Sequence, residues 1–334
     1  MDQKQVVEAL KKTDAFEEKT GEIEVIQTHI SFIFLTEKFV YKVKKAVDFG
    51  FLDFTTLEKR RFFCEKELEL NRRLCGDMYI EVVPITRSDT IRIGGEGEII
   101  EYAVKMKRIP EETIMSRLLE EGKVDKKIVE KIAEILVDFH LKARTGKKIS
   151  KFGSLSVIKR NWSENFLQTE NFIGKTLSFE RHQFIREKVD DCIQKKRALF
   201  AKRVANNRIR DCHGDVHSGN IFVADKIYIF DAIEFNERFR YSDVAAEIAF
   251  LAMDFDFKGW KELSSFFVDR YVTFSGDREL KGLLSFYKCY RAYVRGKVTS
   301  FKLNDSRINS NEKHIAEKDA SEYFDLAALY AEKL

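Results

Sequence analysis

Proline is nearly missing from these 334 residues, with only Pro84 and Pro110 present. Proline inside a helix removes a hydrogen bond and clashes with the preceding turn, so its scarcity permits long uninterrupted helices. Cysteine is sparse too. Cys64, Cys75, Cys192, Cys212 and Cys289 are odd in number, scattered and free of any CxxC pair, which argues against a disulfide framework and a zinc site. No sign of charge dominates, with 59 basic against 55 acidic residues and a net charge of +4. That balance gives slight help to an anion and does not argue for a nucleic-acid partner. No apolar run approaches the ~20 residues of a membrane helix, and the opening Met1-Asp2-Gln3-Lys4 does not begin a signal peptide. A cytoplasmic, reduced chain with no membrane partner is expected. There are no repeats and no low-complexity linker.

What is present is globular. The 44% hydrophobic and 34% charged content is ordinary, and the length suits two lobes rather than one core. The first part reads as strands around one helix. Ile23–Gln27, Ser31–Leu35, Phe39–Val43, Tyr79–Ile85, Thr90–Ile93 and Glu98–Lys107 are β-rich. Thr55-Thr56-Leu57-Glu58 is written as a capping box for a helix running to about Leu74, with Gly76 near its end. Beyond Pro110 apolar residues recur three or four apart over 114–119, 128–143, 155–167 and 179–204, then from about 242 onward, with a long helix over 280–303. A hairpin, 220–223 and 227–230, interrupts them. The shift at 106–110 marks a hinge-like boundary between a β-rich region, 1–108, and a helical one, 109–334.

The informative segment is Asp211-Cys212-His213-Gly214-Asp215-Val216-His217-Ser218-Gly219-Asn220, which runs through a polar loop into that hairpin. At the hairpin's far end stands Asp231, eleven residues after Asn220, in Ile229-Phe230-Asp231-Ala232-Ile233-Glu234. Phosphoryl transfer asks little covalent help of a protein; it needs an acceptor held in line and cations on the phosphate oxygens. A loop aspartate can take the proton of an incoming hydroxyl. An amide oxygen five residues on, with a second carboxylate from an adjacent hairpin, can hold magnesium, which prefers oxygen ligands.

This segment resembles the catalytic loop of the aminoglycoside phosphotransferase-like kinases, in which His-Gly-Asp replaces the His-Arg-Asp of protein kinases at the same Asp-to-Asn spacing. The likeness extends to 49–57, 231–235 and 290–297, which are similar to an uncharacterised bacterial branch often fused to a C-terminal P-loop kinase; this chain stops before such a module. The resemblance implies an α+β, bilobal protein-kinase-like fold, with a small β-rich N-lobe and a larger helical C-lobe. It implies ATP and Mg2+ as cofactors and a small hydroxyl-bearing molecule as acceptor. Asp215 would be the catalytic base, Asn220 and Asp231 the metal ligands, and His213 and His217 supports for the loop. Asp243, opening a helix, could be read as a third metal ligand; the resemblance implies instead that it braces the catalytic loop's backbone from beneath.

The N-terminal half should supply a lysine for the phosphates and a helix glutamate to hold it. Lys42 and Lys44 lie on one face of their strand, and periodicity does not choose between them; the family pattern favours Lys42. Of Glu65, Glu67 and Glu69, family spacing favours Glu67. Glu234 reads either as a contact to metal or cationic substrate or as a surface salt bridge. Arg291 and Arg295, four apart on one helical face, read either as a solvated face or as a site for an anionic acceptor. Asp48-Phe49-Gly50 and Gly174-Lys175-Thr176 imitate kinase and P-loop motifs in the wrong places. There is no GxGxxG; Thr28-His29-Ile30-Ser31 occupies that turn. The rival readings are a nucleotide-binding pseudokinase, against which the intact Asp215, Asn220 and Asp231 argue, and a protein kinase, for which an Ala-Pro-Glu segment is lacking. The acceptor's identity, the preference between ATP and GTP and the oligomeric state stay open.

Overall fold

The structure is a computed structural model describing residues 3–305 and 308–334, so Met1 and Asp2 of the opening segment lie outside it. In chain order the elements are α1 (Gln3–Leu10), β1 (Glu24–Gln27), β2 (Ser31–Leu35), β3 (Phe39–Lys44), α2 (Leu57–Cys75), β4 (Tyr79–Arg87), β5 (Ile91–Ile93), β6 (Glu98–Lys107) and α3 (Met115–Glu120). There follow α4 (Lys126–Lys142), α5 (Lys147–Ser150), α6 (Leu155–Thr169), α7 (Phe179–Lys195), α8 (Arg197–Ala205), β7 (Ile209–Asp211), β8 (Ile221–Val223) and β9 (Ile227–Ile229). Last come α9 (Glu237–Arg240), β10 (Tyr241–Asp243), α10 (Val244–Phe257), α11 (Lys261–Ser275), α12 (Leu284–Phe301) and α13 (Ser310–Ala331). The class is α+β, as expected: a curled antiparallel sheet, then a helical part.

Contacts divide the chain into two compact units, residues 1–118 with 219–240, and residues 119–218 with 241–334. Sequence order drew a boundary near 108; the contacts group the β8–β9 hairpin with the N-terminal strands instead. Packing explains this. Ala232 N donates to Asn71 Oδ1 at 2.9 Å, the Cys75 thiol to Ile229 O at 3.3 Å, and Asp231 N to Tyr79 Oη at 3.4 Å. Apolar Phe222 and Tyr228 join Cys64, Met78, Tyr79, Val104 and Met106 in one buried cluster.

In the first unit the six strands run β1-β2-β3-β6-β4-β5, antiparallel throughout. One face buries Phe34, Tyr41, Val43, Ile85 and Ala103 against Val6, Val7 and Leu10 of α1, a short helix that the sequence periodicity did not announce. The α2 cap sits one residue later than read: Thr56, not Thr55, accepts from Lys59 N at 3.2 Å. Gly76 is right-handed, at φ −47°, so the glycine is not used for a left-handed stop. The Thr28–Ser31 turn closes on itself, the Thr28 hydroxyl accepting from Ser31 N at 2.9 Å. Asp48-Phe49-Gly50 is a loop turn in which Asp48 accepts from Gly50 N at 2.7 Å.

In the second unit α10 is the centre. Every residue from Val244 to Phe255 is buried, with α11 and α12 packed on it, α4 on α11 and α13 on α12. The span 179–204, read as one helix, is α7 and α8 with a break at Lys196. The chain near Ser242 is the short strand β10, paired antiparallel with β7. Gly174 is a left-handed turn at φ +83°. All five cysteines are buried and unbridged. Among the described residues no helix is long and apolar enough to cross a membrane.

Candidate active site

In the first unit, alternation along β3 sends the side chains of Lys42 and Lys44 to the same face, and the α2 residue Glu67 meets both. Its Oε1 lies 2.8 Å from Lys42 Nζ and its Oε2 2.7 Å from Lys44 Nζ. Lys42 reaches on to Asp231 Oδ1 at 2.5 Å, and Lys44 reaches Glu234 Oε1. The result is a chain of alternating charge, Asp231, Lys42, Glu67, Lys44, Glu234. Burial separates its two cations: the Lys42 side chain keeps 11% of its exposure, Lys44 none. The Lys44 ammonium also lies 4.9 Å over the Phe54 ring. Glu65 and Glu69, the other candidates on α2, pair with Arg61 and Lys66 on the helix surface instead.

Burial alone would raise the Glu67 carboxyl, but Lys42 and then Lys44 hold it down to about 2. Burial would likewise lower both lysines; Asp231 and Glu67 raise Lys42 well above its ordinary value, and Glu234 and Glu67 raise Lys44. Glu234 is pushed up by burial and by Glu67 against the pull of Lys44. It is therefore neither a surface salt bridge nor open to a substrate: it is buried and bound to a lysine.

Asn220 and Asp231 stand at the same open end of the β8–β9 hairpin. Ile221 pairs with Ile229, and one step further Phe230 N donates to Asn220 O at 3.0 Å. Asp231 has φ +65°, a left-handed backbone that few non-glycine residues adopt. Its side chain is 43% exposed, so a carboxylate oxygen is open to an arriving ion. An amide oxygen and a carboxylate are hard donors of the kind magnesium takes, few enough to leave room for waters and phosphates.

In the second unit the loop after β7 carries Asp215, whose amide donates to His213 Nδ1 at 3.3 Å. His217 Nε2 lies 3.6 Å from Asp215 Oδ2, its ring 5.4 Å from that of Phe250. Burial would raise the Asp215 carboxyl, yet His217, Arg295 and His213 keep it well below the ordinary carboxylate range. It is thus ionised at neutral pH, ready to accept a hydrogen bond from a hydroxyl. Gly214 has φ +93°, which fixes glycine between the histidine and the aspartate.

The support beneath this loop differs from the one implied for Asp243. Asp243 caps α10 through Ala245 N at 2.9 Å and grips Arg203 with both oxygens, at 2.9 and 2.6 Å. A carboxylate so placed at a helix start is taken by its own first turn. Glu247, one turn on, bears the loop: its Oε1 accepts from His213 N at 2.9 Å and Gly214 N at 2.6 Å. Its Oε2 lies 2.7 Å from His140 Nε2, and His140 Nδ1 lies 2.7 Å from Tyr271 Oη. Seven residues further along α10, Asp254 accepts from Ser218 N at 2.8 Å. Glu247, His140, Tyr271 and Asp254 were missed in the sequence. The available signal was the acids Glu247 and Asp254, seven apart in a helix otherwise apolar up to Phe255, where buried charge demands partners.

Arg291 turns to the backbone as well. Its Nε donates to Ala246 O and its Nη1 to Gly214 O, each at 3.1 Å, and its guanidinium lies 4.6 Å over Phe250. Bound to two carbonyls, it forms neither a solvated face nor an acceptor contact; it holds the loop. Arg295 lies 5.5 Å over the Tyr323 ring and is raised by Tyr323, Asp215 and Asp254 against burial.

A profile of the phosphotransferase enzyme family matches residues 64–283. Uncharacterised proteins of Mycobacterium bovis and Mycobacterium tuberculosis are 32% identical over 286 residues, covering 85% of this chain and 56% of theirs. The chain thus spans little more than half the length of these curated relatives. Among solved structures, a choline/ethanolamine kinase family protein from Mesorhizobium loti aligns with 99% of this chain and 100% of its own, at TM-score 0.54 and 13% identity. An ethanolamine kinase of Plasmodium vivax aligns at TM-score 0.51 and 14% identity, covering 90% of this chain and 81% of its own. The fold of these kinases is the fold seen here.

Proposed function

This chain belongs to the phosphotransferase enzyme family, and we propose that it moves the γ-phosphoryl group of ATP, with magnesium, to a hydroxyl of a small molecule. The observation that carries this reading is Lys42, a barely exposed ammonium held between Glu67 and the open carboxylate of Asp231. A lysine so held is preorganised to donate to nucleotide phosphates, and Glu67 keeps it charged and aimed. Lys44, wholly buried, takes no part in that contact. Asn220 and Asp231 would hold the metal, which when bound neutralises charge on the phosphate oxygens.

Asp215 receives the acceptor's hydroxyl. Its low proton affinity suits a loose transfer in which little negative charge develops on the attacking oxygen, so its main effect is orientation, with the proton taken late. His213 and Gly214, fixed by Glu247, and the Gly214 carbonyl, fixed by Arg291, set where the carboxylate points. The choline and ethanolamine kinases that share the fold are named for small hydroxyl-bearing molecules, and an acceptor of that size class fits this chemistry.

The test is Asp215→Ala. Transfer to a metabolite panel, followed by ATP consumption, should fall by about 10²–10⁴-fold while nucleotide binding measured by calorimetry persists. Undiminished turnover overturns the assignment. A parent chain that binds ATP yet never consumes it, whatever the acceptor, would make this a regulatory nucleotide-binding protein instead.

A further inference from the structure

The alternating chain of charge holds one lysine more than the proposed chemistry uses. Lys44 is wholly buried, shares Glu67 with Lys42 and is bonded to Glu234. Three segments meet on its ammonium: β3, which carries Lys42; α2, which carries Glu67; and the stretch after β9, which carries Asp231 three residues before Glu234. The same stretch is fastened to α2 a second time, by Ala232 N on Asn71, one helical turn beyond Glu67, and to α9 by Arg240 Nη1 on Ile233 O at 2.8 Å. Those two bonds fix its backbone. Its side chains reach the glutamate that aims Lys42 by two routes, Asp231 through Lys42 itself and Glu234 through Lys44.

We propose that Lys44 and Glu234 form a positioning pair that sets Glu67, and through it Lys42, in register with the metal-bearing stretch at Asp231. This deepens the reading that Lys42 meets the phosphates and rests on it. Without Lys44, the buried carboxylates of Glu67 and Glu234 would have to share Lys42, drawing it away from the nucleotide. Removing one partner of a buried pair leaves an uncompensated charge and costs far more than removing both. The single and double replacements therefore separate the pair's roles.

The experiment compares Lys44→Met, Glu234→Gln, the double variant and Lys44→Arg in the full chain. ATP·Mg affinity is read by calorimetry, kcat by ATP consumption and Tm by calorimetric melting. Lys44→Met should weaken ATP·Mg binding by about tenfold or more. The double variant should regain affinity to within about threefold of the parent, because Glu67 is left with Lys42 alone. Its kcat should stay about tenfold low, because Glu67 is no longer tied through Lys44 to the stretch that carries Asp231. Lys44→Arg should keep most of both.

If the double variant binds nucleotide as poorly as Lys44→Met, Lys44 is itself a phosphate ligand and the proposal fails. A double variant with full kcat and a lowered Tm makes the pair a stability device only. Should Lys44→Met not fold, the double variant and Glu234→Gln still decide, and parental kcat in both refutes the idea. Lys42→Met serves as the separate control: if it binds ATP·Mg like the parent, the underlying reading of Lys42 is wrong, whatever Lys44 does.

Discussion

Replacing Glu247 by glutamine tests how the catalytic loop is held. The carboxylate is buried in α10 and takes three bonds, from His213 N, Gly214 N and His140 Nε2. Burial raises its carboxyl, but the His140 bond and charge, the His213 charge and the Gly214 amide hold it down to about 2 against an ordinary 4.5. The unfolded chain then takes up the proton first as pH falls. The resulting stabilisation is whole above about pH 4.5, lost as pH drops toward 2, and worth about 3 kcal/mol at neutrality. A second route agrees. Glutamine can turn its carbonyl to the two loop amides and its NH2 to His140, which answers by moving its own proton to Nδ1 and donating to Tyr271. All contacts survive without the charge, at about 1 kcal/mol for each of three bonds. Urea unfolding at pH 7 should therefore show Glu247→Gln less stable by about 3 kcal/mol, the gap to the parent closing as pH is lowered from about 4.5 to 2. The loosened loop should also lower kcat about tenfold or more. A variant within about 0.5 kcal/mol of the parent, or a gap unchanged by acid, refutes this account.

Lys42→Met should raise the concentration of ATP needed for half-maximal turnover by at least about tenfold, since a charge-assisted phosphate contact is worth about 1.5–3 kcal/mol; steady-state kinetics read it. Asp231→Asn, →Gly and →Ala should separate stability from activity. Because φ at position 231 is +65°, glycine and asparagine should melt near or above the parent and alanine lower by about 1 kcal/mol. All three should lose magnesium-supported turnover; an active Gly variant would remove Asp231 from the metal. His182 is buried against Phe166 at 5.4 Å; burial lowers its pKa, the Arg186 charge adding to the effect and Phe166 and Glu170 opposing it. Its folded pKa lies below the unfolded one, so stability present above the ordinary histidine range is lost as pH falls through it. His182→Leu should flatten the unfolding free energy between pH 7.5 and 5.5; an unchanged slope would show that the ring is not held neutral.

What the sequence revealed was whatever could be written locally. The loop from His213 to Asn220, the hairpin and Asp231 fall within one short stretch, so residue type and spacing were enough to name them. Strands β2, β3 and β6 follow from short β-rich runs, and α4 and α6 from apolar residues three and four apart. The eight residues of α1 offer too few turns for a period to stand out, and α1 depends on the sheet it covers. The division into units was harder to see because residues 219–240 pack with strands more than a hundred positions earlier in the chain.

The site's supports divide along the same line. Glu247 lies 107 residues from His140, and Lys44 lies 190 from Glu234; no local pattern can announce such a partner. Composition can still say that one must exist. A glutamate in Val244-Ala245-Ala246-Glu247-Ile248-Ala249, or a second lysine of the same parity on an apolar strand, is a charge the fold will bury, and buried charge survives only when paired and hydrogen-bonded. Asp243 and Glu247 show what that rule leaves undecided. One caps α10 and the other lies one turn into it, and a family pattern favoured the first as the loop's brace. The helix start decides between them, since a carboxylate at its cap is already claimed by the first turn's amides. The next acid along the same face is the one left to turn toward the loop. Carboxylates inside apolar helices, sorted by distance from the cap, are thus a better guide to loop supports than the acid nearest the expected position.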